Sequence, residues 1–175
     1  MLLNKIKFTS RLVAGLLVLF LAISCFYSSV QAASYTVETV PNAHLSDRSN
    51  RVSNPDGIIL PEDVATINQM LQLVEDSLSI EVAVVAIESI GDNDARMFAT
   101  DLFKHWGIGK KGEDNGLLIL LVTDPAQRAV VFETGYGIEG ILPDAICYRL
   151  QQNYMIPDLK AGNFSQGMAK GVAAV

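Results

Sequence analysis

The chain has 175 residues, half of them apolar and 18% charged, with 13 basic against 19 acidic side chains. That length and balance suit one globular domain and exclude a disordered polar chain or a coiled coil. Lys5, Lys7 and Arg11 all lie in the first 32 residues, which hold no acid, so the remainder has ten basic against nineteen acidic groups, a net −9. A surface that negative argues against nucleic acid or anionic lipid as a partner and favours cations.

In chain order, the first element is a basic start followed by the apolar run Leu12 to Phe26 and the small-residue motif Val30-Gln31-Ala32. This is the build of a signal peptide over residues 1–32, and the run is short of the roughly 20 residues a permanent span requires. The expected product is an exported protein of the periplasm or cell envelope that begins at Ala33. Membrane association would then come only through an uncleaved signal or a lipidated Cys25, which follows Leu21-Ala22-Ile23-Ser24 in loose imitation of a lipoprotein signal. Cleavage after Ala32 leaves Cys147 alone, so no disulfide partner is expected.

Residues 33–53, rich in Pro, Asn, Ser and Asp, read as an extended leader, with the folded domain from residue 54 to 175. Val64, Ile67, Leu71, Val74 and Leu78 recur at steps of three and four, which predicts an amphipathic helix over Pro61–Ser79. Ile80 to Ile87 is nearly continuous in apolar character and rich in Val and Ile, as a strand covered on both faces should be. Gly91 to Asp94 offers a cap for a second helix through Trp106, with the stripe Ala95, Phe98, Leu102 and Trp106. Trp106 reads as packing. A glycine-rich loop then feeds a buried strand from Leu117 to Thr123, and a short turn returns the chain as a third strand, Ala129 to Thr134. The helical crossover makes the first two strands parallel, and the short turn makes the third antiparallel to the second. Pro143 opens a helix bearing Ile146, Leu150 and Tyr154, Pro157 ends it, and Asn163 caps a last helix with Phe164, Met168 and Val172. The pattern is still helical at Val175, so the domain is expected to continue further. A mixed sheet with helices on its faces follows.

That topology brings Gly116 near Gly135. Asp114 and Asn115 from one loop therefore meet Glu139 and Asp144 from the other, with Glu113 and Tyr136 close by, and carboxylate, amide and carbonyl oxygens are the ligands a hard cation such as Ca2+ takes. If the loops curl around one ion, at least one of Gly116, Gly135 and Gly137 is expected at positive φ. His44 and His105 are too few and too separated for a zinc site. Gly107-x-Gly109-x-x-Gly112 matches a dinucleotide fingerprint in letters only, because it follows a helix and precedes a strand. Lys110 and Lys111 could hold a phosphate by charge. Cys147 falls on an apolar helical face as a small core residue.

Several stretches, taken together, resemble the TPM domain family, known from a thylakoid-lumen photosystem II repair protein and bacterial envelope homologues. They are Ile80 to Ile90; Phe98-Ala99 with Leu102-Phe103 and Trp106-Gly107-Ile108-Gly109; Asp114-Asn115-Gly116-Leu117-Leu118; Gly135-Tyr136-Gly137-Ile138-Glu139-Gly140 with Leu142 and Asp144; Ile156-Pro157; and Gly162-Asn163-Phe164 with Gly167. Asn54 with Asp56-Gly57 stands where the family commonly opens with an Asp, and Asn163 where it often has Asp. The resemblance implies a three-layer α/β/α sandwich, binding of calcium or another divalent cation in some members, and an acid phosphatase activity proposed for a plant member. The leading expectation is a protein that binds a divalent cation at the Asp114 and Glu139 loops and serves as an accessory or assembly factor for other envelope proteins. The alternative is a metal-assisted phosphomonoesterase with Asp114 or Glu139 as general base.

Overall fold

The computed structural model describes residues 34–175. The expected signal peptide and its cleavage site lie outside the described residues. Four strands form one mixed sheet in the order β1 (Val52–Ser53), β2 (Glu81–Ile87), β3 (Gly116–Val122), β4 (Ala129–Thr134). β1 and β2 are parallel, as are β2 and β3, and β4 is antiparallel to β3.

Side chains alternate across a strand, so each face of the sheet collects every second residue. Val82, Val84 and Ala86 of β2 and Leu117, Ile119 and Leu121 of β3 share one core with Ile67 and Leu71 of helix α2 (Pro61–Leu78) and with the C-terminal helices. Val85 and Ile87, with Leu118, Leu120 and Val122, face the other way onto Phe98, Ala99 and Leu102 of α3 (Ala95–Trp106). All seven β3 residues are buried, which explains why its sequence does not alternate in polarity. Each fully buried Leu or Ile contributes about 1.5–3 kcal/mol relative to exposure, so two such cores on one strand make β3 the centre of the fold. The α/β/α layering holds.

Local signals set most boundaries. Pro61 occupies the first turn of α2, where its missing N–H is no loss, and Glu62 and Asp63 sit beside the positive end of the helix. Asp94 caps α3, its Oδ1 accepting from Arg96 N and Met97 N at 3.0 Å each, and Gly107 closes it at φ 64°. Trp106 is half-buried against the second core, as packing requires.

Four expectations need correction. Residues 34–53 do not run clear of the domain: Tyr35 N donates to Ser89 O at 2.9 Å, Val40 is buried, a short helix α1 forms over Ala43–Ser46, and Val52–Ser53 adds a strand to the sheet. The sheet edge at β2 has backbone groups to satisfy, and this polar segment satisfies them. Second, Pro157 does not end its helix. α4 (Asp144–Leu150) passes into a wide π turn (Gln151–Met155), and Pro157 lies in the first turn of α5 (Ile156–Lys160), where no N–H is required of it. Third, Ile146 and Leu150 pack against the core as expected, but past the wide turn Met155 and Leu159 take the buried positions and Tyr154 is exposed. Fourth, Asn163 precedes α6 (Phe164–Ala173) without a side-chain cap; its carbonyl accepts from Gly167 N at 3.0 Å instead.

Among the described residues no helix is long and apolar enough to cross a membrane. Cys147 is buried and its thiol pKa is raised, first by burial and then by the nearby charge of Asp144. A thiolate nucleophile is therefore suppressed there.

Candidate functional site

The antiparallel return does bring the two loops together. Leu117 pairs with Thr134, Gly135 N donates to Gly116 O at 2.8 Å, and Gly137 N donates to Asp114 O at 3.0 Å. From there a 3-10 turn (Tyr136–Ile138) carries the chain to Glu139, and Leu142 N returns to Ile138 O at 2.7 Å before α4 begins at Asp144. Asp114 itself is left-handed at φ 48°, a conformation Asp tolerates better than most residues. Asp114, Glu139 and Asp144 are all exposed.

None of Gly116, Gly135 and Gly137 has a positive φ. The expectation of a curled, ion-facing backbone fails, and close approach of two backbones gives a different reason for glycine. A Cβ at Gly135 would meet the Asp114 carbonyl, one at Gly137 the Glu113 carbonyl, and one at Gly116 the Ile108 carbonyl, all inside 3.0 Å. These glycines let two backbones touch. The signal was in the sequence as a glycine cluster, but only tertiary pairing reveals which property of glycine is used.

Asn115 also differs from its expected role. It is 7% exposed, and its Oδ1 accepts from Lys110 N at 2.7 Å. Its Nδ2 donates to Glu113 Oε2 at 2.7 Å and to Ser79 O, while its own carbonyl accepts from Glu81 N at 3.0 Å. The amide thus clamps its own loop to the left-handed turn at Ser79 (φ 57°) that separates α2 from β2. It is spent on structure.

These facts bear on a metal. Ca2+ takes six to eight oxygens. Among the described residues no three Asp, Glu, His or Cys side chains gather where they could hold an ion, and the Asn115 amide oxygen is occupied. A closed cage built wholly from protein does not fit this junction. What it offers is exposed carboxylates on two loops that are hydrogen-bonded into one unit.

Beside them in sequence lies apolar surface. Tyr136 is 80% exposed, Ile141 61% and Tyr148 62%, so the segment that carries Glu139 and Asp144 also carries large side chains that the domain leaves uncovered. Tyr136 was placed close by from the sequence, but Ile141 and Tyr148 were not, because each stands beside an apolar neighbour, Leu142 or Cys147, that is the one buried.

At the far end of the sheet, Asn54 and Asp56 hold the entry to α2. Asn54 exchanges two bonds with Ile59, Nδ2 to O at 2.8 Å and N to Oδ1 at 3.1 Å. Asp56 accepts from Tyr35 Oη at 2.8 Å and from Glu88 N at 2.7 Å. Burial, then the bond to Asp56, raises the Tyr35 phenol pKa. Both acidic-segment residues are occupied in closing a loop.

The sequence model described as the TPM domain matches residues 52–175. Among solved structures, the chain is similar to the N-terminal domain of a protein from P. gingivalis, at 39% identity and TM-score 0.74, covering 81% of this chain and 89% of that one. It is also similar to the N-terminal domain of the cg2496 protein from Corynebacterium glutamicum, at 17% identity and TM-score 0.58, covering 81% and 85%. The BA42 protein from the psychrophilic bacterium Bizionia argentinensis gives 22% identity and TM-score 0.57, covering 69% and 80%. The last two show likeness of fold alone. No curated protein matches the chain.

Proposed function

This chain belongs to the TPM domain family, and from that premise we propose that it is an exported cell-envelope accessory factor whose Asp114 and Glu139 loops form a docking edge for other envelope proteins, tuned by a divalent cation. The observation that carries the reading is that one segment, residues 136–148, exposes Tyr136, Ile141 and Tyr148 together with Glu139 and Asp144. Uncovered large apolar groups rimmed by charge are a feature of protein contact surfaces. Export rests on the signal-like first 32 residues. The cation reading rests on the acid-rich composition and on two carboxylate loops joined by the Gly135 and Gly137 amides. An ion held by so few protein oxygens keeps most of its water, which places affinity in the weak class of extracellular sites, about 10⁻⁴–10⁻³ M.

Thermal melts of the full chain, first with chelator and then with millimolar Ca2+ or Mg2+, test the cation. A rise in Tm that grows with cation concentration is expected, reflecting a stabilisation of about 1 kcal/mol at a few times Kd. It should vanish in the Asp114→Ala, Glu139→Ala double variant. No shift with either ion, or an equal shift in that variant, removes the cation from the proposal. Aryl phosphate hydrolysis by the purified protein, lost in folded Asp114→Ala, would establish the phosphomonoesterase reading in its place.

A further inference from the structure

Three buried side-chain polar atoms among the described residues have no hydrogen-bond partner: His44 Nδ1, Arg51 Nη1 and Gln127 Oε1. Two of the three belong to residues lining one cavity of about 80 Å³, between α1, the start of β2 and the end of α3. Arg51 is only 8% exposed. Its Nε and Nη2 donate to Glu75 Oε2, the former at 3.1 Å, which leaves Nη1 as the guanidinium nitrogen with nothing to bond. Guanidinium nitrogens donate and never accept, so this one requires an acceptor. Leaving a buried charged donor unmatched is costly in a folded protein.

The polar neighbours on the wall do not supply that acceptor. Ser53 Oγ donates to Pro41 O, Asn42 Oδ1 accepts from His44 N at 3.1 Å, and Glu81 Oε2 accepts from Gly109 N at 3.1 Å. The rest of the lining is apolar, with Val82, Trp106 and Ile108 prominent. The cavity wall therefore combines residues bearing two unpartnered nitrogens with hydrocarbon side chains.

We propose that this cavity binds a small carboxylate, its oxygens accepting from Arg51 Nη1 and from His44 with the proton on Nδ1, and its short hydrocarbon part lying against Trp106 and Ile108. Two unpartnered nitrogens on residues of one cavity wall can serve the two oxygens of a carboxylate. The volume restricts the ligand to a few heavy atoms, and the apolar wall favours one with an alkyl end over an inorganic ion. Glu81 on the same wall weighs against a dianion such as phosphate. The site is separate from the Asp114 and Glu139 junction and does not depend on the function proposed for it.

Trp106 is the one tryptophan of the chain, so its emission reports on the cavity directly. Titration of the full chain with acetate, propionate and butyrate should give a saturable change in Trp106 emission and shift the His44 Nδ1 resonance. Inorganic phosphate and chloride should give neither. Ala83→Val, which places methyl groups into the cavity, should abolish the response, and Arg51→Lys should weaken it about tenfold or more. Ala83→Val preserves the Arg51–Glu75 pair, so it stays informative if Arg51→Lys fails to fold. No saturation with any of the three carboxylates, an undiminished response in Ala83→Val, or an equal response to chloride overturns the proposal and leaves a cavity filled with water.

Discussion

Gly137→Ala is expected to destabilise the domain by about 3 kcal/mol, a fall in Tm of about 10 °C, while Gly140→Ala, three residues on, changes stability by less than about 0.5 kcal/mol. The two glycines occupy the same loop and differ in what a methyl group would meet. At Gly137 an added Cβ lies well inside 3.0 Å of the Glu113 carbonyl oxygen and near the carbonyl carbons of Glu113 and Asp114. Those atoms are backbone, so no rotamer change relieves the overlap; the two loops must separate. Separation would break the bond from Gly137 N to Asp114 O and strain the one from Gly135 N to Gly116 O. At Gly140 nothing lies within 4 Å. There the substitution acts mainly on the unfolded chain, whose entropy it lowers. Chemical denaturation of the two variants measured side by side checks the pair. Equal, small effects would mean that the loops are not in backbone contact, and the docking edge would lose its geometry.

The same comparison separates what was legible in the sequence from what was not. α2, α3 and the three longer strands were legible because each satisfies its own period: Ile67 and Leu71 recur on one helical face, and β2 and β3 are apolar on both faces because both faces are covered. Connectivity then fixed the meeting of Gly116 with Gly135. β1 was not legible, since two residues carry no period and Val52–Ser53 becomes a strand only by pairing with Val84 and Val85. The turn at Gln151–Met155 was equally hidden, because a helix that widens by one residue leaves its composition unchanged. For the site, residue type was misleading in both directions. Asn115 has the chemistry of a ligand and is spent as a clamp, whereas Arg51 drew no notice in the sequence because its partner Glu75 is 24 residues away.

Asn115 offers the sharper test of that distinction, because the ligand and clamp roles predict opposite responses to Asn115→Asp. A metal ligand would gain from the added charge. The clamp should lose, by more than Asn115→Ala, for which the loss of bonds to Lys110 N, Glu113 Oε2 and Ser79 O is expected to cost about 2–3 kcal/mol. In the Asp variant the donor Nδ2 becomes a carboxylate oxygen facing the Ser79 carbonyl and the Glu113 carboxylate, at a site that is 7% exposed. Both neighbours and burial disfavour the charged form, so the new carboxyl has a folded pKa above its unfolded one. The unfolded state then releases its proton first. Stability should be greatest in acid, where a protonated oxygen can still donate to Ser79 O, and should fall as pH rises through the unfolded and then the folded pKa. Urea melts of wild type, Asn115→Ala and Asn115→Asp across the acid-to-neutral range resolve the order. If Asn115→Asp is instead the most stable at neutral pH, and more so with Ca2+ present, the residue is a ligand after all and the α2–β2 turn is held by other contacts.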